Sequence, residues 1–262
     1  MDGVEKRLTR IFRKDQKTVI VPMDHGATLG PVEGLHDMNR TVGELLKANV
    51  DAFVIHKGIA RTVDTGSAGL IVHLSASTKH SPDTNRKVRV CSVLEALRLG
   101  ADAVSVHINV GAPFEAEMLT KLGNVADECH SYVLPLLAMM YPRGPSIQNE
   151  HDRDVVAHAA RLGAELGADI VKTNYTGDIE SFKQVVASCP VPLIIAGGPK
   201  AKTDHDILQM VYEANLAGCA GISIGRNVFQ HKAPGNMARA LITIVHEGAT
   251  VDQAFRLVSE GE

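Results

Sequence analysis

Aromatic residues are scarce in this sequence of 262 residues: they make up 4% of it, and tryptophan is absent. The core must therefore be aliphatic, as buried parallel strands prefer. Binding of single-stranded nucleic acid relies on aromatic stacking platforms, so the scarcity argues against that function. The formal net charge is only −3, and no block of lysine and arginine marks a nucleic-acid surface. We expect no nucleic-acid partner, although one or two local cations could hold the phosphate of a small molecule.

Paired cysteines and long apolar segments are also missing. Cys91, Cys129, Cys189 and Cys219 form no CxxC pair, so their spacing indicates neither a zinc knuckle nor a redox dithiol. The segment Met1–Lys14 is charged and lacks the apolar centre of a signal peptide. No segment reaches the roughly 18 apolar residues of a membrane span. We expect a cytoplasmic protein with reduced core cysteines and no membrane contact.

The sequence does contain eight short apolar runs, which are apolar on both faces as in buried parallel strands. The runs are Thr18–Met23, Ala52–His56, Leu70–Leu74, Ala103–His107, Leu134–Met140, Asp169–Lys172, Leu193–Ala196 and Gly221–Ile224. Amphipathic stretches with helical spacing lie between most of them. These stretches are Leu35–Leu46, Val90–Leu99, Phe114–Cys129, Asp152–Leu166, Ile179–Ser188, Thr203–Ala217 and Met237–Glu247. About 33 residues per strand–helix unit match an eight-fold barrel of about 250 residues. The predicted fold is therefore an α/β protein with a (β/α)8 TIM barrel.

A short sequence motif recurs where a predicted helix ends and the next strand begins. Gly100, Gly167 and Gly218 each stand at this point, and Asn49 takes the place of glycine in a fourth copy. Glycine or asparagine just past a helix adopts the left-handed cap conformation. We therefore expect the chain to turn directly from helix to strand at these four positions.

The ends of the chain and one interval complete the predicted organisation. Val4–Phe12 is predicted as a short helix before the barrel and Val251–Gly261 as a closing helix, while Lys57–Gly69 has room for at most a short helix. No linker or shift in composition divides the chain, so residues 1–262 are expected to form a single catalytic domain. A doubly wound open sheet is the alternative architecture, although no GxGxxG motif follows the first strand.

Polar side chains follow every apolar run, at the end where a barrel carries its active site. Lys172 comes directly after Asp-Ile-Val, and lysine is almost never fully buried without a reason. It is either a surface lysine just past its strand or an amine nucleophile that attacks a ketone or aldehyde. Desolvation and a nearby cation, such as Arg143 or Arg226, would lower the pKa of this amine and expose its lone pair.

Two further groups could move protons beside such an amine. Tyr141, one of only four tyrosines, stands one strand before Lys172 and is either a rim aromatic or a proton donor or acceptor. Asp24 follows the first strand and is a base toward substrate hydroxyls, a helix cap or a partner for Lys172. His25 and Gly26 after it let the backbone approach a ligand closely.

Glycine-rich turns follow the seventh and eighth runs. Gly197 and Gly198 form one, and Gly225 with Arg226 forms the other. Barrels commonly bind phosphate at these two loops, because glycines expose backbone N–H groups and arginine adds a charged fork. The sequence therefore predicts a phosphate site here, with ordinary tight turns as the alternative.

Metal chemistry competes with this interpretation. The sequence contains twelve histidines, and His56, His73 and His107 end three neighbouring runs. A metal-dependent lyase or hydrolase would need several histidines with a carboxylate. No HxH or HExxH motif is present, so we interpret these residues as histidines of a polar pocket, with no metal.

Taken as a set, these residues resemble the archaeal-type class I fructose-bisphosphate aldolase family over nearly the whole chain. The motifs that carry the resemblance are Pro22-Met23-Asp24-His25-Gly26, Tyr141-Pro142-Arg143-Gly144, Lys172-Thr173-Asn174-Tyr175, Gly197-Gly198-Pro199-Lys200 and Gly225-Arg226-Asn227. The resemblance implies a barrel that forms a Schiff base without metal or other cofactor. It implies that Lys172 forms the imine, that Tyr141 donates a proton and that Asp24 accepts one. The implied substrate contacts are Asp24, His25, Gly26, Ala27, Thr28, Tyr141, Pro142, Arg143, Lys172, Gly197, Gly198, Gly225 and Arg226.

Within this family, the sequence is most similar to a branch that serves aromatic amino-acid biosynthesis in the shikimate pathway. That branch implies a phosphorylated keto sugar, 6-deoxy-5-ketofructose phosphate, which forms an imine with Lys172 and is cleaved. The retained three-carbon unit then attacks a small aldehyde, L-aspartate semialdehyde. The same motifs also fit a class I fructose-1,6-bisphosphate aldolase, a related thiolase and, from another class, a non-catalytic sugar-phosphate-binding protein. The family resemblance further implies a homo-oligomer, such as a decamer.

Overall fold

A computed structural model describes residues 2–259, which form ten strands and twelve helices. The strands are β1 (Thr18–Pro22), β2 (Ala52–His56), β3 (Gly69–His73), β4 (Ser75–Ala76), β5 (Val88–Arg89), β6 (Ala103–Val110), β7 (Leu136–Pro142), β8 (Ile170–Thr173), β9 (Leu193–Ala196) and β10 (Gly221–Ser223). The helices are α1 (Gly3–Leu8), α2 (His25–Leu29), α3 (Met38–Lys47), α4 (Lys57–Ala60), α5 (Val93–Arg98), α6 (Glu115–Tyr132), α7 (Arg153–Glu165), α8 (Ile179–Ser188), α9 (Asp204–Leu216), α10 (Arg226–Phe229), α11 (Pro234–Glu247) and α12 (Val251–Ser259).

Eight of the strands are parallel and close into a barrel. Their order around the barrel is β1, β2, β3, β6, β7, β8, β9 and β10, and β10 pairs again with β1. The predicted (β/α)8 barrel is confirmed, and the doubly wound open sheet is excluded because no strand is left at an edge. β4 and β5 pair antiparallel as a small hairpin inserted between β3 and β6, which the sequence analysis did not predict.

Most element boundaries differ from the prediction by a few residues. Strand β7 was predicted to end at Met140 but continues through Tyr141 and Pro142, and β6 was predicted to end at His107 but continues to Val110. The predicted N-terminal helix ends at Leu8 instead of Phe12. The interval after β2 does contain only a four-residue helix, α4. Of the predicted closing helix, the part up to Ser259 is helical, and Gly261 lies outside the described residues.

The repeated sequence motif between helix and strand has two structural roles. Gly100, Gly167 and Gly218 have φ angles between 82° and 95°, and Asn49 has φ 67°, so the predicted left-handed caps are confirmed. The aspartates that follow in three copies accept a backbone hydrogen bond from the start of the neighbouring strand. The pairs are Asp51 with Val19 (2.6 Å), Asp102 with Leu70 (2.9 Å) and Asp169 with Leu136 (2.8 Å). These side chains therefore fix the register between strand pairs at the amino end of the barrel.

The core has two apolar layers separated by the barrel wall. Alternate residues of each strand face inward or outward; Ile170, for example, packs in the barrel interior, whereas Val171 packs against the surrounding helices. Ile11 and Phe12, after α1, join the interior cluster at its amino end. Each fully buried aliphatic side chain of this kind contributes about 1.5–3 kcal/mol through removal of apolar surface from water.

The four cysteines lie in this core, as predicted, and are buried and unpaired. Burial raises the pKa of Cys129 to about 12 and that of Cys219 to about 11. These thiols are therefore protonated and poor nucleophiles at neutral pH. No helix between residues 2 and 259 is long and apolar enough to span a membrane.

Candidate active site

The interior face of the strands carries polar side chains at the carboxyl end of the barrel. Most of these residues stand an even number of positions after an interior apolar residue of their strand, so their side chains share that face, and Ser223 follows Ile222, which packs on the outer face. Lys172 follows Ile170 by two positions, and Tyr141 follows Met139 by two. The polar interior positions near the carboxyl ends are Asp24, His56, His73, His107, Tyr141, Lys172 and Ser223. The strand register therefore brings the predicted amine, phenol and carboxylate to one end of one channel.

Lys172 lies inside β8 and is 5% exposed, so it is not a surface lysine just past its strand. Its backbone is in register with Met139 on β7 and Ile194 on β9. Within residues 2–259, its amine forms no ion pair with a carboxylate at 4.0 Å or less. A buried amine without a carboxylate partner is available to a substrate that enters the channel.

Asp24 faces Lys172 across the barrel at the end of β1. It precedes the short helix α2, but its side chain makes no cap hydrogen bond. Its carboxylate lies 3.6 Å from His25 Nδ1 and 3.7 Å from His73 Nε2. Burial would raise the pKa of Asp24, but His73, His25 and Lys172 outweigh it and hold this pKa well below its usual range. Asp24 is therefore a carboxylate at neutral pH, a state that suits a proton acceptor.

Tyr141 is 6% exposed and belongs to the wall of the barrel instead of the rim loop where the sequence analysis placed it. Its ring centroid lies 4.9 Å from that of His107, and the Arg143 guanidinium stands 4.5 Å above the ring. Burial, followed by the charges of Lys87 and Arg143, holds the pKa of His107 well below its ordinary value, so this imidazole is neutral. The phenol of Tyr141 is thus positioned by one aromatic and one cationic neighbour.

These groups line a single cavity of about 320 Å³ at the carboxyl end of the barrel. Its lining includes ten of the predicted site residues: Asp24, His25, Thr28, Tyr141, Arg143, Lys172, Gly197, Gly198, Gly225 and Arg226. Three predicted residues do not line it. Gly26 and Ala27 are exposed on α2, and Pro142 is the last residue of β7.

Cations dominate the charged groups of this cavity. Four of its lining residues are lysine or arginine (Lys87, Arg143, Lys172 and Arg226), whereas Asp24 is the one aspartate or glutamate. Burial, and then the charge of Arg143, lowers the pKa of Arg226. Arg226 also donates to the carbonyl of Gly198 at 2.8 Å, which joins the two glycine-rich turns. Such an excess of positive charge in a recessed site attracts anionic ligands.

The histidines at the strand ends do not assemble a metal site. His73 Nδ1 shares a 2.7 Å hydrogen bond with Ser105 Oγ, and His107 Nε2 lies 2.9 Å from Asn109 Oδ1. His56 packs against the His73 ring. Over the part of the chain that the structure describes, no three histidine, cysteine, aspartate or glutamate side chains converge closely enough to hold a metal ion. Of these three histidines, His107 lines the cavity, whereas His56 and His73 lie outside its lining.

The sequence analysis missed some residues of the cavity wall. Lys87 comes from the loop between β4 and β5, and Asn174 follows β8. Ser223 is 1% exposed, and its hydroxyl has no partner among the described residues. Ser223 could have been found because it alternates along β10 with Ile222, which packs on the outer face of the barrel. Nothing in the local sequence around Lys87 marks Lys87 as a site residue.

An unpaired interior amine, a buried phenol and an ionised carboxylate around one cation-rich cavity are the groups that imine-forming aldol chemistry needs. Together, fold and site define a (β/α)8-barrel enzyme of the lysine-dependent aldolase class.

The chain belongs to the DeoC/LacD aldolase family, whose model matches residues 18–231. It is 47% identical over 258 residues to 2-amino-3,7-dideoxy-D-threo-hept-6-ulosonate synthase 1 of Archaeoglobus fulgidus, covering 97% of this chain and 95% of that protein. It is 46% identical over 248 residues to 2-amino-4,5-dihydroxy-6-oxo-7-(phosphonooxy)heptanoate synthase of Streptomyces griseus, covering 93% and 90%. Among solved structures, an archaeal fructose-1,6-bisphosphate aldolase with its catalytic lysine covalently bound to the carbinolamine intermediate superposes with a TM-score of 0.87. That protein is 36% identical, with 93% of this chain and 99% of that chain covered.

Proposed function

We propose that this chain is a 2-amino-3,7-dideoxy-D-threo-hept-6-ulosonate synthase that acts through a Schiff base on Lys172. The donor is 6-deoxy-5-ketofructose phosphate, and the acceptor is L-aspartate semialdehyde. The observation that carries the chemistry is the unpaired interior lysine, which shares one cavity with Tyr141 and Asp24. The 47% identity to a synthase of that name over nearly the full length supports this choice of reaction.

The first half of the proposed reaction cleaves the donor. The Lys172 amine adds to a ketone carbon of the sugar to give a carbinolamine, which loses water to form a protonated imine. The bond between the α and β carbons of this imine then breaks, and its electron pair moves toward the imine nitrogen to leave a three-carbon enamine. Asp24 takes the proton from the sugar hydroxyl that becomes the aldehyde of the departing phosphorylated fragment.

The second half joins the enamine to the acceptor. The enamine carbon attacks the aldehyde carbon of L-aspartate semialdehyde, and Tyr141 donates a proton to the oxygen that becomes the new hydroxyl. Water then hydrolyses the imine, which releases the seven-carbon product and the free Lys172 amine. Arg226 and the two glycine turns contact the sugar phosphate in this proposal, in keeping with the cationic wall of the cavity.

A class I fructose-1,6-bisphosphate aldolase is the second candidate. It needs the same lysine, phenol and phosphate loops, and a cavity with cations on several sides also suits a bisphosphate. The product of the Streptomyces relative defines a further variant of the reaction, because this seven-carbon 2-amino acid keeps a phosphate on carbon 7. These possibilities differ in the products that they form, so product analysis separates them.

The test combines turnover with trapping of the imine. Purified protein is incubated with 6-deoxy-5-ketofructose phosphate and L-aspartate semialdehyde, or with fructose 1,6-bisphosphate, and the products are identified by mass spectrometry. Borohydride is added during donor turnover, and the modified peptide is mapped. We expect a phosphate-free seven-carbon amino acid and an adduct on Lys172 that is lost in Lys172→Met. Faster cleavage of fructose bisphosphate than formation of the amino acid, or an adduct elsewhere, would refute the proposal.

We further propose that the enzyme is a homo-oligomer of the cytoplasm, with residues 1–262 as one catalytic domain. Four free buried thiols suit a reducing compartment. Val88 of β5 and Val90, just after it, are 49% and 37% exposed and offer apolar surface that a contact between subunits would cover. Sedimentation of the purified protein measures the oligomer directly.

A further inference from the structure

The hairpin of β4 and β5 carries Lys87 to the cavity on the side opposite the two glycine-rich turns and Arg226. The hairpin is inserted between β3 and β6, whereas the glycine turns follow β9 and β10. In the closed ring of eight strands, these two pairs of strands lie four positions apart, on opposite sides of the channel. Lys87 on the hairpin side and Arg226 on the side of the glycine turns therefore give the cavity two separate positions for an anion.

Contacts from distant parts of the chain hold Lys87 in place. Its backbone carbonyl accepts a 2.8 Å hydrogen bond from the buried Lys121 of α6, and the carbonyl of Asn85 accepts one of 2.7 Å from Asn109 of β6. The Lys87 amine donates to the Ser77 hydroxyl at 2.5 Å. Within residues 2–259 it has no carboxylate partner at 4.0 Å or less. The result is a positioned, partly buried cation whose hydrogen-bond partner is neutral.

The groups beside Lys87 indicate which part of a substrate it meets. An aldehyde that accepts the enamine needs a proton on its oxygen, so it must lie beside the proton donor. Tyr141 stands on β7, between Lys172 on β8 and His107 on β6, and its ring packs against that of His107. Lys87 is close enough to His107 for its charge to lower the pKa of that imidazole, so an aldehyde whose oxygen lies at Tyr141 can extend the rest of its chain past His107 toward Lys87.

We infer that Lys87 binds the carboxylate of the incoming aldehyde, at a position separate from the phosphate position at Arg226. This inference rests on the proposed function, since L-aspartate semialdehyde supplies the carboxylate. The products named for both synthase relatives are seven-carbon 2-amino acids without a substituent on carbon 3, so both products retain the part that the acceptor aldehyde supplies. Lys87 thus selects an anionic aldehyde, whereas Tyr141 and Lys172 act on any aldehyde that reaches them.

The test separates recognition of the acceptor from the rest of the reaction. Steady-state kinetics with L-aspartate semialdehyde and with uncharged butanal are compared in wild type, Lys87→Met and Lys87→Arg. Lys79→Met, which removes an exposed lysine of the same loop outside the cavity, is the matched control. A hydrogen bond to a charged group is worth enough to raise KM for aspartate semialdehyde by about 10- to 100-fold in Lys87→Met. Lys87→Arg retains most of the affinity, and KM for butanal changes less than twofold.

Trapping of the donor imine by borohydride supplies the second readout. We expect Lys87→Met to form this imine at the wild-type rate, because the donor phosphate lies on the other side of the channel. The inference is overturned if both aldehydes lose activity equally, or if imine formation falls with them. It is also overturned if Arg226→Met raises KM for aspartate semialdehyde while Lys87→Met leaves it unchanged, since the carboxylate then uses the phosphate position. A wild-type enzyme that makes no amino-acid product would refute the proposed function itself, which distinguishes the two failures.

Discussion

Lys121 should make the stability of this protein depend on pH in a predictable way. The residue is 9% exposed, and its amine donates to the carbonyls of Lys87 (2.8 Å) and His107 (3.0 Å). Burial, followed by the charge of Lys87, lowers the pKa of Lys121 to about 7 from an ordinary value of 10.5. Folding therefore releases a proton from this amine between pH 7 and 10.5.

The sign and size of the effect follow from proton linkage. Because the unfolded chain binds the extra proton in this window, the free energy of unfolding rises with pH, by at most about 1.4 kcal/mol per pH unit. The whole window amounts to roughly 5 kcal/mol. Below pH 7 both states are protonated and the full destabilisation is present, and above pH 10.5 it has disappeared.

Lys121→Met removes this titration and leaves two carbonyls without their donor. At pH 10 the variant should be less stable than wild type, since each unsatisfied buried group costs about 1–3 kcal/mol. As the pH falls to 7, the difference in unfolding free energy between wild type and Lys121→Met should narrow by more than 1 kcal/mol. Urea unfolding at several pH values and constant protein concentration measures it, with Lys79→Met as the control for loss of a lysine. A difference that stays constant from pH 7 to 10 would contradict the reasoning.

Two further substitutions test the walls of the cavity. Tyr141→Phe should lower kcat roughly 100- to 10,000-fold, because it removes the proton donor. The midpoint of thermal unfolding should not change, because the Tyr141 hydroxyl has no hydrogen-bond partner within residues 2–259. An unchanged kcat would show that Tyr141 takes no part in the mechanism. Gly225→Ala should raise KM for the donor more than Gly198→Ala does. A Cβ at Gly225 would lie 2.6 Å from the carbonyl oxygen of Pro22, whereas one at Gly198 has open space and only the strain of φ 62°, about 1–2 kcal/mol. Equal KM values in the two variants would show that this close approach is unimportant.

The eight barrel strands and the position of Lys172 could be predicted from the spacing of apolar residues along the sequence. Runs of apolar residues predicted all eight barrel strands, because a parallel strand buried on both faces leaves a continuous apolar signal. Capping glycines such as Gly167 marked where helices turn into strands. Since side chains alternate along a strand, Lys172 must face the same way as Ile170. Its place inside the channel therefore follows from the barrel once Ile170 is assigned to the interior.

The end of β7 and the place of Lys87 could not be predicted in this way. The apolar run that predicts β7 ends at Met140, before Tyr141 and Pro142. The strand instead continues for as long as β6, which runs to Val110 and pairs with Pro142. Lys87 reaches the cavity only through contacts with α6 and β6, and these are separated from it by many residues in the sequence.

Chemistry and substrate choice are thus carried by different parts of this molecule. The amine, the phenol and the carboxylate stand on or directly after barrel strands, whose register changes little when a loop changes. The cation that faces the acceptor side stands in the inserted hairpin, and loops tolerate substitution far better than strands do. Relatives of this chain make a phosphate-free amino acid, a phosphorylated amino acid or act on fructose bisphosphate. If strands set the reaction and loops set the substrate, residues 77–87 are where such relatives should differ, and the interior strand positions are where they should agree.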